Sequence, residues 1–441
     1  MGKFCCLLVL AVCVLVSSCS KEDEDKKQTV ATRSVLVYIS GENSLNAYVA
    51  SDVNEMLRAK SVLGDDDNLI LYVDDTDYPR FYEISNNTSA TSFARLTPVK
   101  TYSENMDSAT PETFRKILDY FFNHYKAESY GLVMWSHGSG WVNDPSNQTD
   151  ESRTESTLTD ESQTDETLGD DSSSASSSLA PFAGVRKTIC VDNGHNTTSD
   201  SGTRMEVVDM ASVLETFPKF EFIMFDACFM QGMEVAYELR NSANYIIGSP
   251  AETPGEGAPY QNVLAPMFAN PFNPQPLVYN YYSYYGEYTS YGVVISAIKT
   301  DEFSEFLPVM QDLLASYDFL NDSLYSYSDC LDYFLYSWNF SRTSDVMPYP
   351  DYYDIQGIML KVLSSEDYAK WKTAFDKLVP YKYASAGWYS SYKRGSMIVD
   401  QNQCGGVNMY LPLSKYSSNK FFSYYGRTAW GKAMWCSTDS I

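Results

Sequence analysis

Basic residues are scarce in this chain: 32 lysines and arginines stand against 57 aspartates and glutamates, for a formal net charge of -25. So acidic a chain repels nucleic-acid phosphates and anionic membrane surfaces, and it has no basic stripe to track a backbone, which excludes nucleic acid as a partner. Long apolar stretches are lacking too. The run at 4–16 is too short to stay in a bilayer as a permanent helix. No strand-end pair of carboxylates suggests a glycosidase, and no repeat suggests a solenoid. Histidine is limited to His124, His137 and His195, so any imidazole chemistry falls to one of these. What is present is a 44% hydrophobic content over 441 residues, enough for a sizeable core and room for two or three average domains, which excludes a wholly disordered chain. Many of the 36 tyrosines crowd at 279–291 and from 317 onward. They suit core and sheet surface, with a carbohydrate-stacking platform as the alternative.

Lys3 followed by the apolar run at 4–16 has the form of a secretory signal, assigned to residues 1–18. Val16-Ser17-Ser18-Cys19 resembles the bacterial lipobox, which implies lipid attachment at Cys19 and membrane contact through that anchor only. An ordinary signal peptide is the alternative. Residues 19–33 then form a tether, and its Ser20-Lys21-Glu22-Asp23-Glu24-Asp25 run is too charged to pack. It resembles an acidic sorting signal that sends some bacterial lipoproteins to the outer cell face. The expectation is an outer membrane lipoprotein at the cell surface, the periplasmic face being the alternative. Beyond Cys19 and the signal, five cysteines remain: Cys190, Cys228, Cys330, Cys404 and Cys436. An odd number in an oxidising compartment leaves a thiol that a disulfide framework does not explain, and that thiol is a candidate nucleophile.

From residue 34 apolar strand-like runs alternate with helical patterns, the signature of an α/β fold with a mostly parallel sheet covered on both faces. Six strands are expected, at 34–40, 68–75, 130–135, 219–225, 244–248 and 291–298. A hairpin addition is expected at 80–85 and 92–102, and helices at 46–60 and 111–126, the latter capped by Thr110 with Pro111 at its first position. Residues 34–300 form the main domain. Within it, 143–180 is made almost wholly of Ser, Thr, Asp and Glu, the composition of a disordered insertion. Residues 301–441 turn to helices and a strand at 406–411, a C-terminal helical and mixed subdomain.

In an open parallel sheet the loops at the carboxyl ends of adjacent strands meet in one crevice. His137, in Ser136-His137-Gly138-Ser139-Gly140, ends one apolar strand, and Cys228 follows another. A free thiol is largely protonated at neutral pH, so a peptidase sets an imidazole beside it to share the proton and later protonate the leaving amine. Backbone N–H groups of Gly138 and Cys228 are the candidate donors to the oxyanion. His124, on a helix, and His195, in a Gly-Asn loop, end no buried strand. The strand and loop up to His137-Gly138, and Asp226-Ala227-Cys228 followed by Met230, Glu234 and Ala236-Tyr237-Glu238, resemble the clostripain family, the C11 cysteine peptidases. The resemblance runs over about 34–299 and again at Gly405-Gly406-Val407-Asn408-Met409-Tyr410-Leu411-Pro412. It implies a caspase-like three-layer sandwich and a His-Cys dyad at His137 and Cys228.

The same resemblance implies protein or peptide substrates cut after Arg or Lys. Asp226 would sit at the pocket floor, its alternative being structural hydrogen bonding, and Glu252 or Glu256 in the loop at 249–260 would supply a second acid or a wall. Relatives are often cut to mature, so Arg153, or Arg186-Lys187 after the insertion, are the expected self-processing sites. No cofactor is expected. Some relatives depend on calcium, and Asp65-Asp66-Asp67 and Asp74-Asp75-Thr76-Asp77 offer oxygen ligands without EF-hand spacing, solvated surface charge being the alternative. The rival function is an inactive surface lipoprotein that binds glycan or protein. Oligomeric state is left open.

Overall fold

The computed structural model describes residues 30–141, 189–195, 197, 200, 202–288, 291–321, 323–333, 352–390, 395–413 and 425–435. The expected signal peptide, Cys19, most of the tether, the acidic insertion, the processing sites Arg153, Arg186 and Lys187, and Cys436 lie outside the described residues.

The chain opens with β1 (Ala31–Ser40), α1 (Asn46–Ala59), β2 (Asp67–Asp74), β3 (Arg80–Ile84), β4 (Lys100–Thr101), α2 (Pro111–His124) and β5 (Ala127–Trp135). A small hairpin, β6 (Ile189–Asp192) and β7 (Thr203–Met205), leads to α3 (Val207–Leu214), β8 (Phe220–Asp226), α4 (Met233–Glu238), β9 (Ala243–Gly248), α5 (Tyr260–Phe268), α6 (Pro274–Tyr288) and β10 (Val294–Lys299). Then come α7 (Phe303–Ser316), β11 (Tyr353–Asp354), α8 (Ile355–Val362), α9 (Ser365–Leu378), β12 (Tyr381–Ala384), β13 (Gly387–Ser390), β14 (Gly395–Ile398), β15 (Asn408–Met409) and α10 (Ala429–Trp435).

The central sheet has nine strands in the order β12-β10-β9-β8-β5-β1-β2-β3-β4, against the six expected. The five strands β2, β1, β5, β8 and β9 run parallel, while β10 is antiparallel to β9. The surplus comes from the edges. The hairpin β3–β4 continues from β2, and β12, from beyond residue 301, pairs with β10. The strand expected at 406–411 shrinks to the two-residue β15, which pairs with β11 outside the main sheet. In the other direction, β1 begins at Ala31, within the expected tether, because Arg33 is buried with its guanidinium donating to Ser129 Oγ, Met267 O and Ala269 O. Three satisfied donors offset the desolvation that would otherwise keep arginine out of a strand.

Alternate residues of each strand face opposite layers. Val35, Val37 and Ile39 pack with α1, α5 and α6, and Leu36 and Tyr38 with the other layer, which holds α2, α3, α4, α7 and α9. The helices have matching stripes. In α2 the buried residues Phe114, Ile117, Leu118, Phe121 and Phe122 recur at helical spacing, and Thr110 caps the first turn by accepting from the Thr113 N–H. In α1 the buried stripe is Val49, Asp52, Val53, Met56 and Leu57, interrupted by one acid.

Candidate active site

After β1 the chain adds β2 on one side and returns to β5 on the other, so the loops leaving β1 and β5 diverge and open a crevice at their carboxyl ends. Trp135, the end of β5, is in register with Asp226, the end of β8. The Ser136 N–H extends the pairing by donating to the Asp226 carbonyl. His137 and Cys228 therefore leave neighbouring strands at the same level. Gly138 lies against the cysteine's own peptide: a Cβ there would stand 2.8 Å from the Cys228 carbonyl oxygen, 2.9 Å from Ala227 Cβ and 2.9 Å from Met230 Cγ. Only glycine allows that approach. The next residue after the thiol, Phe229, is buried at φ 63 and fixed by its N–H to the Ala251 carbonyl. Such a non-glycine residue is held in place by its surroundings, at a cost of roughly 1–3 kcal/mol.

The Cys228 thiol is half-buried, with Sγ 3.3 Å from the Thr253 N–H and 3.5 Å from its hydroxyl. Burial pushes it up to about 11, so the thiol needs a base to ionise. On the other side of the crevice His137 Nε2 is 3.2 Å from Asp200 Oδ1 and 3.0 Å from Ser44 Oγ. Ser44 in turn donates its hydroxyl to Asp200 Oδ2 at 2.9 Å and its N–H to Oδ1 at 3.0 Å. Burial pulls the Asp200 carboxyl upward, but the hydrogen bond and attraction of His137, with the two Ser44 donors, overcome it and hold the group at about 2. Behind the histidine, Ser136 Oγ donates to the Ser40 carbonyl and accepts from the Val191 N–H, while Asn43 donates to the carbonyls of Ser40 and Val191. The ends of β1, β5 and β6 are thereby tied together.

A second group of side chains lies under the loop at 249–260. Asp226 continues the face of Phe222 and Met224, toward α1 and α5. Its Oδ2 accepts from the Ala258 N–H and the Tyr260 hydroxyl, each at 2.9 Å. Asp52 accepts the Trp135 indole N–H at 2.6 Å. Gly257, at φ 71, fits between the two acids: a Cβ on it would lie 2.9 Å from Asp226 Oδ2 and 3.0 Å from Asp52 Oδ2. Burial raises Asp226 to about 6. Burial, then repulsion from Asp226, raises Asp52 to about 9. Glu256 is exposed and accepts from the Tyr291 hydroxyl at 3.4 Å, and Glu252 is buried in the same loop. Among the described residues, no lysine or arginine pairs with Asp52, Asp226 or Glu256.

The clostripain family model matches residues 37–168 and 177–440. The chain belongs to the clostripain family, the C11 peptidases. Clostripain of Hathewaya histolytica is 24% identical over 56% of this chain, which spans 43% of that relative's length. A solved secreted C11 cysteine protease from Bacteroides thetaiotaomicron, in complex with an irreversible peptide inhibitor, is 28% identical and covers 92% of this chain and 100% of its own, with a TM-score of 0.69. An inactive zymogen C11 protease from Parabacteroides distasonis is 26% identical and covers 92% of this chain and 99% of its own, with a TM-score of 0.67.

In this clostripain-family chain the other imidazoles and thiols have different surroundings. His124 stacks on Tyr120 and contacts its carbonyl, and His195 pairs with the buried Glu42 at 2.5 Å. Cys190 and Cys404 are buried, and Cys330 donates toward the Gly357 carbonyl. Among the described residues no group of three or more side chains is arranged to hold a metal ion. Of the acids weighed as calcium ligands, Asp75 and Asp77 pair with Arg80 and Asp67 accepts from the Gly64 N–H. Sequence reasoning passed over Asp52, Thr253, Ser44 and Asp200. An acid on the buried stripe of α1 is a signal that could have found Asp52. Thr253, Ser44 and Asp200 sit in polar loops and carry none.

Proposed function

We propose that this chain is a cysteine endopeptidase in which His137 and Cys228 form the catalytic dyad and substrates are cut after arginine or lysine. The observation that carries the dyad is the shared level at which the two residues leave the paired strands β5 and β8, with Gly138 pressed against the Cys228 peptide. In the proposed cycle His137 takes the thiol proton, and the thiolate attacks the scissile carbonyl carbon. The tetrahedral oxyanion is received by the N–H groups of Gly138 and Cys228. His137 then protonates the departing amine, and water, deprotonated by the same imidazole, releases the acyl group from sulfur. The family membership and the inhibitor-bound relative support this reading.

Basic selectivity is supported by Asp226, Asp52 and Glu256 gathered near the nucleophile with no cationic partner among the described residues. A substrate guanidinium or ammonium brought against them would draw Asp226 and Asp52 into their ionised forms. Self-processing at Arg153 or Arg186-Lys187 belongs to the same proposal. So does export as a lipoprotein anchored through Cys19 and displayed at the cell surface, for which the secreted relative is the supporting parallel. Among the described residues no helix is long and apolar enough to cross a membrane.

The test is an assay with fluorogenic peptides carrying Arg, Lys or a neutral residue at the cleaved position, before and after alkylation of Cys228. Cleavage of the basic peptides that is lost on alkylation is the expected result. No cleavage by processed or unprocessed protein would leave an inactive binding lipoprotein. On a gel the wild type is expected to separate into two fragments that stay associated, and Cys228→Ala to remain one band; identical patterns would remove self-processing.

A further inference from the structure

We infer that Asp200, held by Ser44, is a positioning residue that fixes the tautomer and orientation of His137, making the working unit Cys228-His137-Asp200. The inference rests on the dyad proposed above and adds a third member to it. Its basis is the direction of the hydrogen bonds around Nε2. Asp200 is an ionised carboxylate and can only accept. Ser44 has one hydroxyl hydrogen, and that hydrogen is given to Asp200 Oδ2 at 2.9 Å. Toward His137 the serine oxygen, 3.0 Å away, is therefore an acceptor as well. Two acceptors converge on one ring nitrogen, so Nε2 carries the hydrogen and Nδ1 is left as the basic nitrogen. Neutral imidazole has one donor and one acceptor nitrogen, and the partner of one sets the role of the other.

The carboxylate is itself anchored. Ser44 gives it both the side-chain hydroxyl and the backbone N–H, and Arg204 donates to the Asp200 backbone carbonyl. Ser44 lies in the loop after β1 and Asp200 in the loop joining β6 to β7, so the imidazole is clamped from two segments remote in sequence from its own. His195 pairs with Glu42 on the β1 loop, and Asp192 accepts from the Ser108 N–H and hydroxyl. A carboxylate beside one ring nitrogen, holding the imidazole's orientation, takes the place the third member has in serine peptidases.

The experiment uses the full chain and measures kcat, KM, the rate of Cys228 alkylation by iodoacetamide and the melting midpoint for Asp200→Asn, Asp200→Ala, Asp200→Glu and Ser44→Ala, with His137→Ala and Cys228→Ala as controls. Expected for Asp200→Asn and Asp200→Ala is a kcat at least about tenfold lower, KM within about twofold and alkylation slowed in parallel, at an unchanged melting midpoint. Asp200→Glu recovers part of the loss, and Ser44→Ala loses less than Asp200→Asn. Wild-type or higher kcat in Asp200→Asn overturns the inference, and so does a loss that follows the melting midpoint while alkylation is unchanged. Activity surviving in His137→Ala or Cys228→Ala sinks the dyad itself, a result distinct from failure of the third member.

Discussion

The hydrogen bonds to the Cys228 thiol come from one block of chain, β8 through α5, with Gly138 and Asn408 packed against the neighbouring backbone, whereas His137 is held from three separate places: its own β5 loop, Ser44 after β1, and Asp200 between β6 and β7. On the cysteine side the strand end, the positive-φ Phe229, Thr253 and the loop at 249–260 are fastened to one another by hydrogen bonds within that block. On the histidine side the contact with Asp200 spans the acidic insertion, and the contact with Ser44 spans the stretch from β1 to β5. The thiol's own hydrogen bonds thus come from one block of chain, while those of the base depend on separate segments arriving together.

The sharpest way to test this division is also the largest effect. His137→Ala and Cys228→Ala are each expected to lower kcat/KM by about 10⁴-fold or more, and the double variant to lose little beyond either single one, because groups acting as a unit are not additive. Additive losses would break the pairing of the two sides. Next is Gly138→Ala, which would force a methyl against the Cys228 peptide; activity measured on the best peptide is expected to fall by about 10²-fold, the scale of one lost oxyanion donor. A wild-type rate there would place the oxyanion elsewhere. Asp226→Asn is expected to cut the preference for Arg over a neutral residue by about 10- to 100-fold while turnover of the neutral peptide is unchanged, as for a charge pair lost from one side. Equal loss on both peptides would make Asp226 structural.

The smallest effect concerns Asp52. Its folded value near 9 stands above the ordinary carboxyl value of 3.8. The folded chain therefore holds a proton that the unfolded chain gives up, and the stability contributed by the protonated group is present at low pH and lost as pH rises from about 4 through about 9. Asp52→Asn keeps the acceptor for the Trp135 N–H and cannot ionise. Its melting midpoint should match the wild type near pH 4 and exceed it increasingly toward pH 9. A constant difference across that range would mean that Asp52 is not a buried neutral acid.

The α/β layers and the strands carrying His137 and Cys228 were legible because both strands are continuous apolar runs, the mark of burial on both faces. Asp226 is the last residue of β8, so strand alternation does not reach Cys228 and cannot by itself put the two side chains on one face. What brings them together is the loop at 249–260, which touches both and has no periodicity to read. The edge strand β12 escaped for a similar reason: four residues leave too little pattern, and it is fixed by its partner β10, whereas β4 falls within the second arm of the expected hairpin. Asp200 and Ser44 were invisible because a polar loop residue looks the same whether it meets water or an imidazole.

The pairing of β12 with β10 carries a practical consequence for anyone shortening the gene. A fragment stopped near residue 300 would strip the partner from β10, baring a ladder of amides and carbonyls on an apolar strand, and would remove Trp371, Phe375 and Trp430 from beneath the sheet. An open border of this kind recruits further copies of itself. Such a truncation should be recovered from inclusion bodies rather than as a soluble minimal enzyme.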